Sequence, residues 1–273
     1  DGNVGATGTA TSVAGIPFFS DTSNGSIYTH DVSGTDSTAE GNVAYGLQAL
    51  DAVTTGDYNT AIGYQALSAQ SEGEGNVAVG QAALLANTTA GNNLAVGKSC
   101  LLANTTGTRN IGIGNRTNDQ ADTENDNLAI GYESMTGAVA GGEYNVAIGN
   151  YSLDALTSGD YNVAIGYTAG SDLTSGERNT FIGYEAGKDC IGGGQNVCIG
   201  DAAGSGALST AAGRNIMIGR NSGQAVTSGE ANIYVGFEAG KATTIASNNV
   251  AVGYQSLDAV VVERQCVAIG GYA

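Results

Sequence analysis

The sequence predicts an all-β chain: a parallel β-solenoid of about fourteen coils, each seventeen residues long. Three observations carry that prediction. An Asn followed four residues later by Gly recurs through most of the chain, and short runs of alternating β-branched residues lie between the two. The composition, with 44 Gly and a single Pro in 273 residues, lacks the proline of collagen, and apolar residues at 41% are too many for disorder.

The repeat starts at Asn42, Asn59, Asn76, Asn93, Asn110, Asn127, Asn145, Asn162, Asn179, Asn196, Asn215, Asn232 and Asn249, and Cys266 takes the place of Asn in a fourteenth unit. Of the thirteen steps, eleven are seventeen residues, one is eighteen and one is nineteen; the Gly is present in every unit, from Gly46 to Gly270. Self-similarity at a fixed period is the signature of a stacked-coil architecture.

Counting the Asn as position 0, positions +1 and +3 are almost all Val, Ile, Leu or Thr, as at Val146 and Ile148 or Ile216 and Ile218. Period-two alternation of such residues describes a short strand, and these two positions are expected to point into the coil. The Gly at +4 marks a corner. Position +7 is small (Ala49, Ala66, Cys100, Ser134, Ala186), and +8 is Leu in some units (Leu50, Leu67, Leu84, Leu153, Leu257) and Gly in others (Gly170, Gly187, Gly204, Gly223, Gly240). A polar turn such as Thr157–Tyr161 leads to the next Asn. Stacked at one corner, the Asn side chains are expected to form an amide ladder from coil to coil.

Position +2 lies between the two residues expected inside, so it is expected on the opposite face. A wet face would carry polar residues there. Instead it is Ala in nine of fourteen units and larger in four consecutive ones, Phe181, Cys198, Met217 and Tyr234. A strand apolar on both faces is covered on both. Ala147, Ala164, Phe181, Cys198, Met217, Tyr234 and Ala251 are therefore expected to line a homotrimer interface.

Units such as Gly-Asp-Tyr-Asn-Thr-Ala-Ile-Gly-Tyr-Gln-Ala-Leu at 56–67 resemble the left-handed β-roll repeats in the heads of trimeric autotransporter adhesins (YadA-like heads). Closely similar repeats occur in fibre proteins of bacteriophages and other virions. The resemblance covers about residues 39–273, although seventeen residues per unit is somewhat long for the adhesin heads. It implies a left-handed roll with three chains side by side around an axis. The expected function is a non-catalytic shaft or head of a trimeric attachment fibre, with a phage tail fibre favoured. A bacterial surface adhesin head is the alternative within that class, and a tailspike-like polysaccharide depolymerase the alternative from another. The expected setting is extracellular, on a virion fibre or cell surface. The expected partners are two further copies of the chain and a cell-surface receptor or glycan.

Residues 1–38 fall outside the repeat and form a cap or joint region ahead of the β-roll domain at 39–273. They hold Pro17, the adjacent pair Phe18 and Phe19, and the single histidine, His30. A solenoid end needs a cover for its unpaired edge, and Phe18 and Phe19 are the expected plug. A chain that opens at Asp1 without a Met or signal-like start reads as processed or partial.

Most chemistry is disfavoured by the residues themselves. A formal charge of −17 disfavours nucleic acid and anionic lipid surfaces, and no apolar run has the length of a membrane span. Cys100, Cys190, Cys198 and Cys266 show no metal-ligand spacing and read as free thiols used as small hydrophobes. One histidine without a companion motif disfavours a hydrolytic triad. Carboxylates recur two residues before the Asn (Glu40, Asp57, Glu74, Glu143, Asp160, Glu177, Glu230) and read as a solvated turn. The run Asp122–Asp126 lacks the EF-hand spacing, and Gly112 with Gly114 lacks the third glycine of a dinucleotide loop. The turn pairs Thr54-Thr55, Thr88-Thr89 and Thr105-Thr106 are not sustained as an ice-binding array. Arg109, Arg178 and Arg214 precede an Asn and are placed to pair with nearby acids. No cofactor, metal or catalytic residue is expected.

Overall fold

A computed structural model describes residues 9–13, 16–21, 26–28, 38–137, 141–206, 208, 209, 212–259, 262 and 264–273. His30 and the side chains of Phe18 and Phe19 lie outside the described residues. The chain forms two compact units, Asp1–Asn127 and Leu128–Ala273. Across them run fifteen parallel strands making about thirteen turns of β-solenoid, with no helix among the described residues.

In the first unit, β1 (Thr9–Val13) and β2 (Ile16–Asp21) form an antiparallel hairpin, and β2 pairs antiparallel with β3 (Ser26–Tyr28). The direction then changes. β3 pairs parallel with β4 (Val43–Tyr45), bringing Tyr28 beside Ala44. Tyr28 is fully buried and shares a core cluster with Ala44, Ala49, Leu50 and Val53. The leading hairpin thus joins the stack through β3, and Tyr28 is the described aromatic residue that covers the first coil. β5 (Thr60–Ile62), β6 (Val77–Val79), β7 (Leu94–Val96) and β8 (Ile111–Ile113) follow in parallel register.

The second unit repeats the pattern with β9 (Leu128–Ile130), β10 (Val146–Ile148), β11 (Val163–Ile165), β12 (Thr180–Ile182), β13 (Val197–Ile199), β14 (Ile216–Ile218), β15 (Ile233–Val235), β16 (Val250–Val252) and β17 (Val267–Ile269). Val146 stands against Val163, Ala147 against Ala164, and so on to Ile269, without a slip at the eighteen- or nineteen-residue steps.

Each strand is three residues long because Asn and Gly bracket it. The N–H at +1 donates to the Asn carbonyl one coil on (Val43 to Asn59 and Val146 to Asn162, 2.8 Å each). The Gly N–H of the next coil donates back to the carbonyl at +3 (Gly63 to Tyr45 and Gly166 to Ile148, 2.8 Å each). The Gly itself takes φ between 126° and 142° in all fourteen units, a region that residues with a Cβ rarely adopt. A Cβ would also lie 2.5 Å from the Gly80 carbonyl oxygen at Gly63 and 2.3 Å from that of Gly166 at Gly149. Two separate constraints therefore fix glycine at this corner.

The strands face the opposite way from the sequence expectation. In every repeat strand the middle residue is buried and the two flanking residues are partly or fully exposed. Ala147, Ala164, Phe181, Cys198, Met217, Tyr234 and Ala251 each have 0% exposure within a single chain, so they line the coil and not an interface between chains. The reason is the width of the coil. Positions 0, +2, +7, +8 and +11 all converge on it, and Ala at +2 leaves room for Leu at +8. Val and Ile at +1 and +3 keep their β preference on the outer pleat, where their branching meets only the equivalent residues of neighbouring coils.

That same width explains the large residues at +2. Leu50, Leu67, Leu84, Leu101 and Leu153 are fully buried at +8 in coils whose +2 residue is Ala. Four coils carry Phe181, Cys198, Met217 or Tyr234 at +2, and they are bracketed by five glycines at +8. A Cβ on Gly170 would lie 2.7 Å from the Phe181 ring and one on Gly187 2.5 Å from it. Gly204 meets Cys198 at 2.5 Å and Met217 at 2.8 Å, and Gly240 meets Tyr234 at 2.7 Å. Phe181, Met217 and Tyr234 each spread over the +8 position of their own coil and of the one before, and Cys198 over that of its own coil. Gly170, in a coil whose own +2 residue is Ala164, is empty because Phe181 reaches back over it.

This complementarity predicts a non-additive mutant cycle. Phe181→Ala alone is expected to cost about 3–5 kcal/mol, and Gly170→Leu or Gly187→Leu alone about 1–3 kcal/mol from overpacking. The triple variant restores the pattern of neighbouring coils and should lose at least ~2 kcal/mol less than the sum of its parts. Urea unfolding measures the cycle. Additive losses would refute the shared cross-section.

Candidate functional site

The Asn column is buried to within 1% exposure from Asn42 to Asn249, which removes it from contact with any ligand. Its job is internal. The Asn59 N–H donates to Asn42 Oδ1 at 2.8 Å, and Asn59 Nδ2 donates to the Gly73 carbonyl in the following turn at 2.9 Å. In the second unit, Asn162 makes the same pair with Asn145 Oδ1 and the Gly176 carbonyl, both at 2.9 Å. Direct amide-to-amide bonds run from Asn76, Asn162, Asn179, Asn196, Asn215 and Asn232 to the preceding Oδ1, at 3.0–3.2 Å. The expected ladder is present, with main-chain N–H groups as its regular rungs. It needs a neutral side chain with an acceptor facing one way and a donor facing the other, which an Asp cannot supply. Cys266 breaks the column, yet its N–H still donates to Asn249 Oδ1 at 2.9 Å.

What the chain offers outward is a strand face. Positions +1 and +3 form two columns of Val, Ile, Leu and Thr, with Tyr45 at one +3 position, and none of these residues is charged. Their exposure is 39% at Val43 and Ile62 and 52% at Tyr45 in the first unit, and 36–37% at Ile218, Ile233 and Val252 in the second, rising to 71–72% at Val267 and Ile269 in the last coil. Sequence reasoning missed this face because it placed these residues inside. The pairing of large +2 residues with Gly at +8 is the signal that could have corrected it, since only side chains sharing one interior need to trade volume.

The polar corners act mainly on the backbone. Asp57 Oδ1 accepts the Glu40 N–H and Asp160 Oδ1 the Glu143 N–H, both at 2.8 Å one coil away. In the run 122–126, Glu124 Oε2 accepts the N–H groups of Asp122 and Thr123 at 2.9 and 3.1 Å. Thr54 and Thr88 hydroxyls donate to the carbonyls of Ser71 and Thr105 at 3.0 and 3.3 Å, so the turn threonines extend the coil-to-coil bonding. The expected pairing of the arginines is observed in three forms. Arg109 grips Asp126 through both oxygens at 2.6 and 2.7 Å across one coil, which holds that carboxyl below its ordinary pKa. Arg178 pairs with Glu177 at 2.7 Å in the same turn, and Arg214 with Glu230 in the next. These pairs are exposed and individually weak. Gly112 serves packing: a Cβ there would meet Cys100 Sγ at 2.5 Å. Among the described residues no group of three or more His, Cys, Asp or Glu is placed to hold a metal ion.

A tyrosine ladder unforeseen in the sequence runs along the second unit. Tyr132, Tyr151, Tyr167 and Tyr184 follow one another with ring centroids 5.6, 6.0 and 5.7 Å apart. The same coils carry the carboxylates Glu133, Asp154 and Asp172. Burial first, then Asp172 and Glu133, push Asp154 up to about 6 from its ordinary 3.8.

The four thiols are free. Burial raises Cys100 and Cys190 to about 12, and Cys198 well above its ordinary value. Cys266 is the partly exposed one. Alkylation of the native chain with iodoacetamide at pH 8 should therefore modify Cys266 alone, and all four in denaturant; native labelling of Cys198 in mass spectra would contradict the closed interior.

The Asp154 carboxyl binds its proton more tightly folded than unfolded, so its contribution to stability is complete below pH ~4 and is lost as pH rises to about 6. Asp154→Asn is expected to raise the melting temperature at pH 7.5 and leave it unchanged at pH 4. The reverse order would remove burial as the cause.

Comparison with family models, curated proteins and solved structures finds no match to this chain, so the functional reading rests on the coil and its outward faces.

Proposed function

We propose that this chain is a non-catalytic structural and adhesive element of an attachment fibre, assembled as a homotrimer through its outward strand faces. One observation carries the reading. In each unit the strands are apolar on both sides, and the outer side holds two uncharged columns of mostly β-branched residues that the described residues leave partly exposed. Contiguous exposed apolar surface of this kind marks an interface. A second copy is the natural cover, because a face that repeats every coil is complementary only to another surface with the same repeat.

Charge sharpens the argument. Three chains at −17 each bring −51 together (3 × −17). Salt with a Debye length of ~8 Å softens that repulsion without removing it. The charges sit on corners and turns and none on positions +1 and +3, an arrangement that lets the apolar faces meet first. The resemblance to trimeric adhesin heads and phage fibres supports the same assembly, with a phage tail fibre favoured over a bacterial adhesin head. Two of the turn carboxylates that a depolymerase would draw on, Asp57 and Asp160, are engaged by main-chain N–H groups.

Light scattering at micromolar concentration should give three times the 27.1 kDa chain mass. Val163→Asp with Ile165→Asp should yield a folded monomer with an unchanged β spectrum, whereas Ala164→Asp should unfold the chain because its side chain is inside. A monomeric wild type would overturn the assembly. Turnover of polysaccharide, lost on changing one turn carboxylate, would establish the depolymerase instead.

A further inference from the structure

Two residues before each Asn the chain usually carries a side chain that closes the corner. In the second unit this column reads Glu143, Asp160, Glu177, Gly194, Gly213, Glu230 and Ser247. Two successive coils therefore leave it empty. The result is a cleft of about 390 Å³ floored by Gly194 and Gly213 and walled by Glu177, Arg178, Arg214 and Glu230, with Gln195 between the arginines. Three coils separate the two glutamates, roughly 14 Å at ~4.8 Å per coil. Other coils carry side chains at this position, so a Cβ here asks only for a small shift of the neighbouring coil. Neither has a positive φ, and a Cβ would lie 3.2 Å from the Glu177 carbonyl at Gly194 and 3.0 Å from the Gly194 carbonyl at Gly213.

Where the column carries Asp, Asn or Ser, the side chain does a specific job. It accepts the N–H of the preceding coil, as Asp57 does for Glu40, Asp160 for Glu143, Asn125 for Thr108 and Ser247 for Glu230, at 2.8–3.1 Å. Gly194 brings no such acceptor to Glu177. Beside the gap stand two of the nine basic residues of a strongly acidic chain. Arg178 lies over the Tyr161 ring at 5.4 Å, and that ring stacks on Tyr144 at 5.0 Å, which restrains the guanidinium before any ligand arrives.

We propose that this cleft binds an acidic sugar residue of a surface glycan, its carboxylate taking the place of the missing corner side chain. The forks of Arg178 and Arg214 match a carboxylate geometrically. Glu177 and Glu230 each accept from an arginine through Oε2, so an incoming carboxylate shares the guanidinium forks with them, and sugar hydroxyls donate to the remaining carboxylate oxygens. A phosphodiester brings charge without donors and would set its oxygens against both glutamates, in a chain of net −17. The inference rests on the adhesive reading above and names the site and ligand class that reading leaves open.

The test is calorimetry on the full chain with a panel of oligosaccharides bearing uronic or sialic acids, each beside its counterpart with the carboxyl reduced to an alcohol, and one sugar phosphate. At least one acidic member should bind, and carboxyl reduction should weaken it at least tenfold. Gly194→Asp supplies the side chain that Asp57 and Asp160 supply elsewhere; it should keep the β spectrum and melting temperature and abolish binding. Arg214→Gln should weaken binding at least tenfold. Equal affinity for acidic and reduced sugars, equal affinity for the phosphate, unchanged binding by Gly194→Asp, or no binding by any acidic member would each overturn the proposal. A neutral glycan bound elsewhere would sink the cleft and leave the adhesive fibre standing; a monomer that binds the acidic sugar would do the converse.

Discussion

One buried amide per coil holds this architecture together. Stacked coils are quasi-one-dimensional, so each must be registered to the next by a local bond that cannot slide. The Asn at position 0 supplies it: Oδ1 accepts the next Asn N–H and Nδ2 donates to the carbonyl three residues before that Asn, as at Asn42, Asn59 and Gly56. A slip of one residue would leave both groups unpaired inside, at about 1–3 kcal/mol each. The parallel register of Val43 on Thr60 or Ile216 on Ile233 follows from that bond as much as from the strands, which at three residues are too short to fix register alone.

A coil of seventeen residues closed by such bonds must bend sharply, and the backbone shows how. Besides the Gly corner, positions −1, +6 and +8 take φ near +50° to +60°, mostly with ordinary side chains such as Tyr161, Gln65 and Leu153. A left-handed residue costs on the order of 1 kcal/mol. The stack sustains that strain because each such residue donates or accepts a coil-to-coil bond, as Tyr161 N–H does to Glu143 and Leu153 N–H does to Ala169, both at 3.1 Å. Tight bending also narrows the interior until volume is rationed between +2 and +8. Phe181 with Gly170 and Gly187 is one solution, and Ala147 with Leu153 is the other.

The coil, its period and the Asn column were legible in the sequence because each is a one-dimensional repeat with a single physical cause. Which face of a three-residue strand points inward was not. Period two gives the alternation without its phase, and the habit of placing Val and Ile inside gave the wrong one. In a wide core Ile148 would be interior and Ala147 peripheral; in a coil this narrow the small residue goes inside. The phase was nonetheless encoded, in the glycines at 170, 187, 204, 223 and 240 that accompany Phe181 through Tyr234. The corner chemistry was half legible. The acidic column was visible, but its use as a main-chain acceptor depends on coil-to-coil distances that no single repeat contains.

Inverting the strand also moves function. With Met217 and Tyr234 inside, the interior is closed, and its composition reports only on stability. The two outer columns are constrained in a different way under the proposed assembly, which requires them to stay apolar and uncharged. Neither surface leaves room for specificity. On the proposed reading, recognition falls to the turns, where a substitution changes neither the ladder nor the apolar face. There the repeat is least uniform: the column at −2 alternates among Glu, Asp, Asn, Thr, Ser and Gly while position 0 barely varies. Departures from the repeat at a turn, such as Gly194 and Gly213, therefore change the surface of the coil while leaving the ladder and the strand faces as they are.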